Sequence, residues 1–324
     1  MTPIHEIIAG QADVTAVMRD RLISVTLTDE AGYQSDTLEI RLDDRGSRIA
    51  LPRRGVTLSI RLGFLETGLA TMGDFIVDEV ELEGLPSTLI VRARSADLRD
   101  ELKDQKTRSW SDTTLREVVA AVAADHGLDL RMPPPPPTIH LAHLDQSNES
   151  DLHLLTRLAR RWDYTLKISG KRLAFVPAGR GLSASGEQVS DVTIRPDQVK
   201  EYRATLSDRG KYRSVEAHWQ DQEEGEQVTE RAGKGEPVFV LRHTYADAEQ
   251  AKAAAQARLD QLARGRSTVS LTLSRGEPRL RAQSRVTLEG FRSGINGEWV
   301  AQRVEHEYGS SGYSTSLEGE VPAA

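Results

Sequence analysis

The stretch QSNESDLHLLTRLARRW, residues 146–162, contains the signals that begin, orient and end an amphipathic helix. Ser147 or Ser150 can cap its first turn, because a serine hydroxyl accepts a hydrogen bond from a backbone N–H that has no partner inside the helix. Acidic residues come first and arginines come last, as the helix dipole favours. Apolar residues at steps of three and four form one predicted buried stripe, namely Leu152, Leu155, Leu158, Ala159 and Trp162.

The sequence around this helix predicts a small α+β domain over residues 96–178. Two strands, 164–168 and 172–176, flank the turn dipeptide Ser169-Gly170. Upstream, Thr114 and Glu117 have the spacing of a capping box at the start of a second helix. Between the two helices lie five prolines, residues 133–137, for which a stiff spacer is favoured over a ligand for a proline-recognition domain.

The sections on either side have the pattern of β structure. Residues 1–95 alternate apolar and polar side chains in short runs, with predicted strands at 22–29, 36–42, 56–62, 73–82 and 89–93. Residues 179–190 are small and polar and indicate a linker. Residues 191–324 return to alternation and add one alanine-rich helix that Asp247 caps, while the acidic segment 221–235 is expected to be an exposed loop.

The predicted fold is therefore α+β and mainly β, with two β barrel or sandwich domains, residues 1–95 and 191–324, flanking the helix-containing domain. The chain has 324 residues, no cysteine and a net charge of -7. Disulfides and cysteine catalysis are excluded. The acidic balance argues against a general nucleic-acid coat, and the longest apolar run, residues 118–124, is too short for membrane insertion.

Candidate catalytic and metal-binding residues are weak. His140, His143 and Asp145 form an H-x-x-H-x-D pattern, but strand geometry would point the two histidines to opposite faces. His153 is expected to be solvated and His306 to be structural. Neither a phosphate-binding loop nor a nucleophile elbow is present. We therefore predict no catalytic, cofactor-binding or metal-binding residues, and no cofactor.

The amino-acid sequence of the middle and last sections resembles the late control protein D family of P2-like phages and R-type bacteriocins. The strongest match is HLDQSNESDLHLLTRLARRWDYTLKISGKRLAFVP, residues 143–177. Shorter matches follow the same order along the chain: Trp110-Ser111-Asp112, Asp125-His126-Gly127-Leu128, Val215-x-Ala217-x-Trp219, Arg264-Gly265-Arg266, Gly290-Phe291, Gly297-x-Trp299 and Val304-x-His306. Residues 100–320 carry the resemblance, and residues 1–95 match by strand rhythm. The proline run departs from the family pattern.

The resemblance implies a central hub of a contractile-tail baseplate, similar to the hub portion of type VI secretion spikes. In such hubs three copies supply two tail-tube-like β domains each, and six domains make a pseudo-hexameric ring. The expected partners are two further copies of the chain, the tail spike, the tail tube, baseplate wedge proteins and the tape-measure protein. A sequence-specific nucleic-acid partner is not expected. The expected location is the baseplate of a phage or a headless bacteriocin, assembled in the host cytoplasm.

Two other functions stay open at this point. The first is a cell-wall hydrolase, since some tail hubs carry a lysozyme or peptidase domain. The second is a module in which the middle domain binds carbohydrate or peptide of the cell wall. We expect neither to be favoured over a structural, non-enzymatic hub, because the chain has no spare length for an added domain.

Overall fold

The computed structural model describes residues 1–32, 35–95, 100–133, 138–169, 171–179, 191–206, 212–221, 224–264 and 267–322. The chain folds as two compact units. The sheet unit comprises Met1–Leu98, Val189–Ala204 and Val269–Gly319. The helical unit comprises Arg99–Gln188, Thr205–Thr268 and Glu320–Ala324.

Strands dominate the described part of the chain, which confirms the predicted mainly β, α+β class. In chain order the strands are β1 (Pro3–Ala9), β2 (Ala12–Asp13), β3 (Leu22–Glu30), β4 (Thr37–Asp43), β5 (Thr57–Phe64), β6 (Gly68–Glu83), β7 (Thr88–Ser95), β8 (Gln105–Thr114), β9 (Asp129–Arg131), β10 (His140–Ser150), β11 (Tyr164–Ser169), β12 (Arg172–Pro177), β13 (Val192–Ile194), β14 (Val199–Leu206), β15 (Ser214–Gln220), β16 (Gln227–Gly233), β17 (Val238–Tyr245), β18 (Ser267–Leu273), β19 (Arg285–Leu288), β20 (Gly297–Gly309) and β21 (Gly312–Glu320).

The helices of the described residues are α1 (Thr15–Met18), α2 (Leu115–Asp125), α3 (Asp151–Trp162) and α4 (Ala248–Arg264), with 3₁₀ turns at Asp100–Lys103 and Pro196–Gln198. In the described part of the chain, none of these helices has both the length and the apolar character needed to cross a membrane. Capping signals placed the longer helices correctly: Thr114 and Glu117 form the expected capping box of α2, and Asp247 accepts a hydrogen bond from the backbone N–H of Gln250 in α4.

A single 13-stranded sheet organises the sheet unit. Its main path runs β14-β18-β21-β20-β3-β4-β7-β6-β5-β1-β2, and β19 joins β13 to β20. Alternate residues of the strands bury one face, so the first half of the sheet surrounds an apolar core that includes Ile7, Val25, Leu27, Leu38, Ile40, Ile60, Leu62, Phe75 and Leu89. The five strands predicted within residues 1–95 are confirmed as β3 to β7. The structure adds β1, which the sequence pattern did not reveal.

The first and last β sections join within this sheet. β20 pairs antiparallel with β3, with Arg303 opposite Glu30 and Gly309 opposite Ser24. Strand alternation shows which face of a strand is buried but not which strand lies beside it. The predicted separation into one β domain at residues 1–95 and another at 191–324 therefore differs from the observed division, in which both contribute to one unit.

The helical unit contains three small sheets and three helices. β8 pairs with β10, β11-β12-β9 form a second sheet, and β16-β15-β17 form a third. α2, α3 and α4 pack on these sheets around one apolar core, which includes Leu115, Val119, Val122, Leu154, Leu155, Leu158, Trp162, Phe175, Val215 and Ala255. Residues 205–268, which were predicted to belong to the last β domain, thus group with the middle section. The reason is that α4 packs on β15 and β16 and also meets α3.

Three local predictions need correction. The helix predicted from residue 146 begins at Asp151, because residues 140–150 extend as β10 and Ser150 is the N-cap. Its buried face includes Leu154, which the predicted stripe lacked, whereas Leu152 is only partly buried. Neighbouring elements therefore cover a wider part of the helix surface than the predicted stripe. The acidic segment 221–235 is not all loop, because residues 227–233 form β16 against β15.

Two further predictions fall largely outside the described residues. These are the proline spacer, of which residues 134–137 are not described, and the linker, of which residues 180–190 are not described. The hairpin predicted after α3 is confirmed in its two strands, which pair from Tyr164 opposite Pro177 to Ser169 opposite Arg172.

Candidate functional site

The most distinctive motif of the sequence builds a buried ionic network at the start of α3. The Asp151 carboxylate is completely buried and accepts hydrogen bonds from Lys106 Nζ at 2.6 Å and Arg108 at 2.7 Å. The buried side chains of His126 and Gln146 add contacts of 2.7 and 2.9 Å to the same carboxylate. β8, α2 and β10 thus each contribute a partner, and the network joins them to the first residue of α3.

Electrostatics favour the ionised form of Asp151. Burial alone would raise its pKa, but hydrogen bonds from Lys106, His126 and Gln146 and the charge of Arg108 outweigh burial and lower the pKa to about 2. A carboxylate with so many donors is stabilised as an anion and has no free lone pair directed at solvent. The contacts of Asp151 therefore join α3 to the elements packed around its first turn.

Of the three candidate metal ligands, the structure brings together His143 and Asp145, whereas His140 pairs with Asp112. His140 Nε2 lies 2.9 Å from Asp112, and His143 Nε2 lies 3.0 Å from Asp145. Each histidine thus has its own carboxylate partner at the surface of β10. Within the described ranges of the chain, no cluster of three or more histidine, aspartate or glutamate side chains has the arrangement needed to hold a metal ion. His153, on the exposed side of α3, lies 3.2 Å from Glu149.

His306 is completely buried in β20. Its Nε2 lies 3.1 Å from the carbonyl oxygen of Leu280, and its Nδ1 lies 2.9 Å from the hydroxyls of Tyr313 and Thr315. Burial, and then the charge of Arg281, lower the pKa of His306 to about 3. The neutral ring with its proton on Nε2 fits these contacts, because it donates to the carbonyl and accepts at Nδ1. The side chain is enclosed by protein and has the structural role that the sequence predicts.

One face of the sheet is densely charged. Arg92 of β7 pairs with Glu39, Glu79 and Glu81 at 2.6–3.0 Å, which raises the pKa of its guanidinium, chiefly through the hydrogen bonds with Glu81 and Glu39. Two further pairs extend this face, Arg41 with Glu83 and Arg94 with Asp78. These carboxylates are partly exposed and already ion-paired, so the face is polar and solvated rather than adhesive.

β14 leaves one edge of the sheet open. It lies at the end of the path beyond β18, and none of its residues is buried, so both of its faces and its outer edge are accessible. Tyr202 and Leu206 are about half exposed although they are large and apolar, at 47% and 53%. An edge strand of this kind is a template for pairing with another chain. The sequence pattern predicted a strand at residues 201–207, but it did not indicate that this strand lies at the edge of the sheet.

A second open edge lies on β6. Residues 68–76 of β6 pair with β5, and residues 75–83 pair with β7 on the opposite edge. Val77 is still hydrogen-bonded to Gly55 and Val56, and beyond Val77 no strand of the described chain pairs with the edge that faces away from β7. This stretch carries Asp78, Glu79, Glu81 and Glu83, and Leu82 is 58% exposed.

The two halves of the sheet repeat the same order of strand pairing. The first half is β3-β4-β7-β6-β5, and the second is β14-β18-β21-β20-β19. In the first half, β5 pairs with the first part of the long strand β6, and β7 pairs with the rest. In the second half, β19 pairs with the first part of the long strand β20, and β21 lies beside β20 on the sheet path. The long strand of the second half, β20, also pairs through residues 303–309 with β3 of the first half. Its counterpart β6 lacks such a neighbour among the described strands, as does β14, the counterpart of β3.

Comparison with known proteins shows which family this chain belongs to. Residues 34–312 match the family model described as phage tail baseplate hub (GPD). The chain belongs to this family. It is 34% identical to the probable baseplate hub protein of Escherichia phage P2, in an alignment that covers 99% of this chain and 94% of the relative. The resemblance predicted from residues 143–177 and the shorter motifs is therefore confirmed, and the protein is a baseplate hub protein of phage tails.

Solved structures share the fold at low sequence identity. The 43 kDa tail protein of prophage MuSo2 from Shewanella oneidensis is 14% identical and has a TM-score of 0.70, with 99% of each chain covered. The c3393 protein of E. coli, a type VI secretion system component described as similar to the T4 tail proteins gp27 and gp5, is 9% identical with a TM-score of 0.59. That comparison covers 94% of this chain and 74% of the other.

Proposed function

We propose that three copies of this hub protein form a closed ring, in which β14 of each copy pairs with the open edge of β6 in the next copy. The ring then has six β modules, two from each chain, and joins a hexameric tail tube to a trimeric spike. The observation that carries this proposal is the pairing of β3 with β20 inside one chain, because it provides a template for the same junction between chains.

The template specifies which edges meet. β14 occupies the place of β3 in the second half of the sheet, and residues 78–83 of β6 occupy the place of the part of β20 that pairs with β3. Pairing these two edges between neighbouring copies repeats the internal junction and leaves neither edge open. Head-to-tail contacts of this kind form a ring when the rotation closes and a filament when it does not.

Side-chain chemistry supports the same pairing. β14 carries Lys200 and Arg203, whereas the open stretch of β6 carries acidic side chains at residues 78, 79, 81 and 83, which pair within the chain with Arg94, Arg92 and Arg41 and would share these pairs with β14. Exposed apolar side chains occur on both strands, Tyr202 on β14 and Leu82 on β6. Opposite charges and apolar pairs across antiparallel strands each contribute roughly 0.2–1 kcal/mol, so the two edges complement each other.

The remaining parts of the proposal concern the partners of the ring. Two β modules in each of three chains give six modules, which match six tube subunits on one side of the ring. The three chains match three spike chains on the other side. The ion-paired face of β4, β6 and β7 suits the inner wall of such a ring, because a solvated face lets the tape-measure protein pass without adhering. Wedge proteins would bind the outside of the ring. We place its assembly in the host cytoplasm and its final position in the baseplate of a phage tail or an R-type bacteriocin.

The solution mass of the purified protein, alone and mixed with its spike protein, is the first test. We expect three times the 35.8 kDa of one chain in at least one of the two samples. A monomer in both would remove the ring while leaving membership of the family untouched. Clearing of peptidoglycan in a zymogram by the purified chain would contradict a purely structural role.

Engineered cysteines test the strand pairing itself, because the natural chain contains none. One cysteine replaces Arg203 in β14, and a second replaces each β6 residue from 79 to 82 in turn. Opposed residues of antiparallel strands lie within disulfide range, so at least one combination should cross-link. A closed ring predicts covalent dimers and trimers and nothing larger. The control combines the cysteine at Arg203 with one at Glu318, an exposed position on the interior strand β21.

The cross-linking pattern separates the parts of the proposal. A ladder that continues beyond three chains would contradict closure. A trimer by mass that forms no disulfide at any of the β6 positions would contradict the β14–β6 pairing and preserve the trimer.

A further inference from the structure

The helical unit contains a groove of about 560 Å³ that the ring does not use. Its cationic lining consists of Arg160 and Arg161 at the end of α3, Arg242 on β17 and Arg258 on α4. None of the described residues that line it is acidic. Four arginines in one groove are unusual for a chain whose net charge is -7.

The groove follows the free edge of β17. It is lined by every residue from 238 to 242. Successive side chains of a strand point to opposite faces, so a groove that touches five in a row lies along the strand edge rather than on one face. β17 is the outer strand of the β16-β15-β17 sheet, and its other edge has no strand partner among the described residues. The main chain there has free hydrogen-bonding groups.

Aromatic rings hold two of the arginines in place. The guanidinium of Arg258 lies 4.8 Å from the ring centre of Phe239, which in turn contacts the Tyr212 ring edge to face. Arg161 lies 5.0 Å from the ring centre of Tyr245 and 5.1 Å from that of Trp162. Stacking of this kind restricts the guanidinium groups. Arg258 also donates one hydrogen bond to Gln261 Oε1 at 3.0 Å, and a guanidinium has five N–H donors in all.

Among the described residues, no carboxylate balances the charge of Arg161, whereas Asp163 balances that of Arg264 in the same unit. Burial lowers its pKa, and the other groups that act on it are Tyr245 and Arg157 rather than a carboxylate. Burial would also lower the pKa of Arg264, but its ion pair with Asp163 outweighs burial and raises it. No carboxylate of the described residues pairs with Arg161, and a partly buried guanidinium in that situation gains more from an incoming anion than an exposed one does.

We propose that this groove binds an acidic, extended segment of a partner protein, which adds as a strand to the edge of β17 and places its carboxylates on the arginines. Strand addition supplies main-chain hydrogen bonds, and pockets beside the strand select alternate side chains. Arg242 and Arg258 belong to β17 and α4 respectively, so they flank the added strand from the sheet and from the helix. Arginine forms paired hydrogen bonds with carboxylates, which fixes the register of the segment.

A peptide fits these features better than a nucleic acid does. Residues 238–240 of β17 are in regular strand pairing with β15, before the irregularity at residues 241–243, so their outer edge presents main-chain hydrogen-bonding groups that a peptide can pair with and a phosphate backbone cannot. The Phe239 ring is covered by Arg258 and the Tyr245 side chain is buried, so neither offers a free face on which a base can stack. The net charge of -7 also opposes the approach of a long polyanion.

Fluorescence anisotropy with the full-length protein tests the proposal. The probe is a short labelled peptide of alternating glutamate and valine, and the matched probes replace its glutamates by glutamine or methylate its backbone nitrogens on one edge. We expect binding of the first peptide and a dissociation constant at least about tenfold higher for both matched probes, since each loses charge-assisted or main-chain hydrogen bonds. An oligothymidylate of similar length is expected to bind more weakly than the acidic peptide.

Variants locate the binding to the groove. Arg242→Gln and Arg258→Gln should each raise the dissociation constant about tenfold, the effect of one lost charge-assisted hydrogen bond. Arg172→Gln, an exposed position on β12 outside the groove, makes the same change of charge and should leave binding unaltered. Because Arg242 is exposed, its variant keeps the test valid if Arg258→Gln fails to fold.

Several results would overturn the proposal. These are equal affinity for the glutamate and glutamine peptides, equal loss of binding in Arg172→Gln and Arg242→Gln, unchanged binding of the backbone-methylated peptide, and tighter binding of the oligothymidylate than of the acidic peptide.

Discussion

Arg303 of β20 lies opposite Glu30 of β3, and its Nε is 3.3 Å from the Glu30 carboxylate. Both side chains are partly exposed, at 41% and 25%, so the ion pair contributes less than about 1 kcal/mol to stability. The main-chain ladder and the buried neighbours Val304 and Leu27 hold this junction between the halves of the sheet. Charge therefore selects the register of the junction more than it stabilises it.

The same reasoning predicts how the junction between chains responds to a change of charge. Replacing Lys200 and Arg203 together by glutamate places like charges opposite the acidic stretch of β6 and should prevent the trimer from forming. Since both residues are exposed on an edge strand, the free energy of unfolding of the monomer should change by no more than about 0.5 kcal/mol. Light scattering and urea unfolding measure the two effects.

Lys252→Glu, an exposed change on α4, is the control for added negative charge and should preserve the trimer. A double variant that still forms a trimer at the concentration used for the wild type would exclude charge pairing at β14.

The buried carboxylate of Asp151 should be the most sensitive polar site of the helical unit. Asp151→Asn leaves Lys106 and Arg108 without their shared anion and is expected to reduce the free energy of unfolding by about 3 kcal/mol at pH 7, as measured in urea. Glu149→Gln, which weakens the more exposed pair with Arg157, is the milder comparison. Equal effects of the two substitutions would contradict the central role of Asp151.

The pH dependence of this site follows from its lowered pKa. An aspartate in the unfolded chain titrates near 4, whereas Asp151 in the folded protein titrates at about 2. Its contribution of about 3 kcal/mol is therefore present above pH 4 and is lost as the pH falls from 4 to 2. The difference in stability between the wild type and Asp151→Asn should shrink over that interval, and a constant difference would assign the stabilisation to packing.

The sequence around Asp151 indicated how α3 begins, but it did not indicate which distant residues surround the Asp151 carboxylate. Ser150, Asp151 and the arginines of α3 could be recognised as capping and dipole signals because those interactions lie within one turn of sequence. The partners Lys106 and His126 come from β8 and α2, and nothing in periodicity pairs them with residue 151. The motif therefore predicted a helix correctly and left its polar contacts unassigned.

The same limit applies to the sheet. Alternation identified β3 to β7 and most strands after residue 190, because each has a buried face with period two. It could not show that β20 lies beside β3, since the junction joins residues almost 280 positions apart. The strand at residues 201–207 was also predicted, but the pattern could not show that β14 lies at the end of the sheet path, because edge position depends on strand pairing.

The corrected buried face of α3 can be tested by truncation. Leu155→Ala and Trp162→Ala should each lower the free energy of unfolding by roughly 2–5 kcal/mol, because both side chains are buried in the core of the helical unit. Leu154→Ala should act similarly, whereas Leu152→Ala should cost less, since that side chain is only partly buried. Urea unfolding of the four variants measures the order. A larger cost for Leu152→Ala than for Leu154→Ala would support the stripe predicted from the sequence over the observed buried face.

Protonation of His306 provides the last prediction. In the unfolded chain a histidine takes up a proton near pH 6.5, but in the folded protein His306 stays neutral until about pH 3. The unfolded state therefore binds more protons below pH 6.5, and stability falls by about 1.4 kcal/mol for each pH unit below that point. His306→Gln keeps a polar side chain beside Tyr313 and Thr315 but cannot take up the proton. We expect it to be less stable than the wild type at pH 8, with a free energy of unfolding that changes less between pH 6.5 and 5. Since all other titrating groups are shared, parallel curves for the two proteins would mean that His306 is protonated in the folded sheet, contrary to its enclosed position.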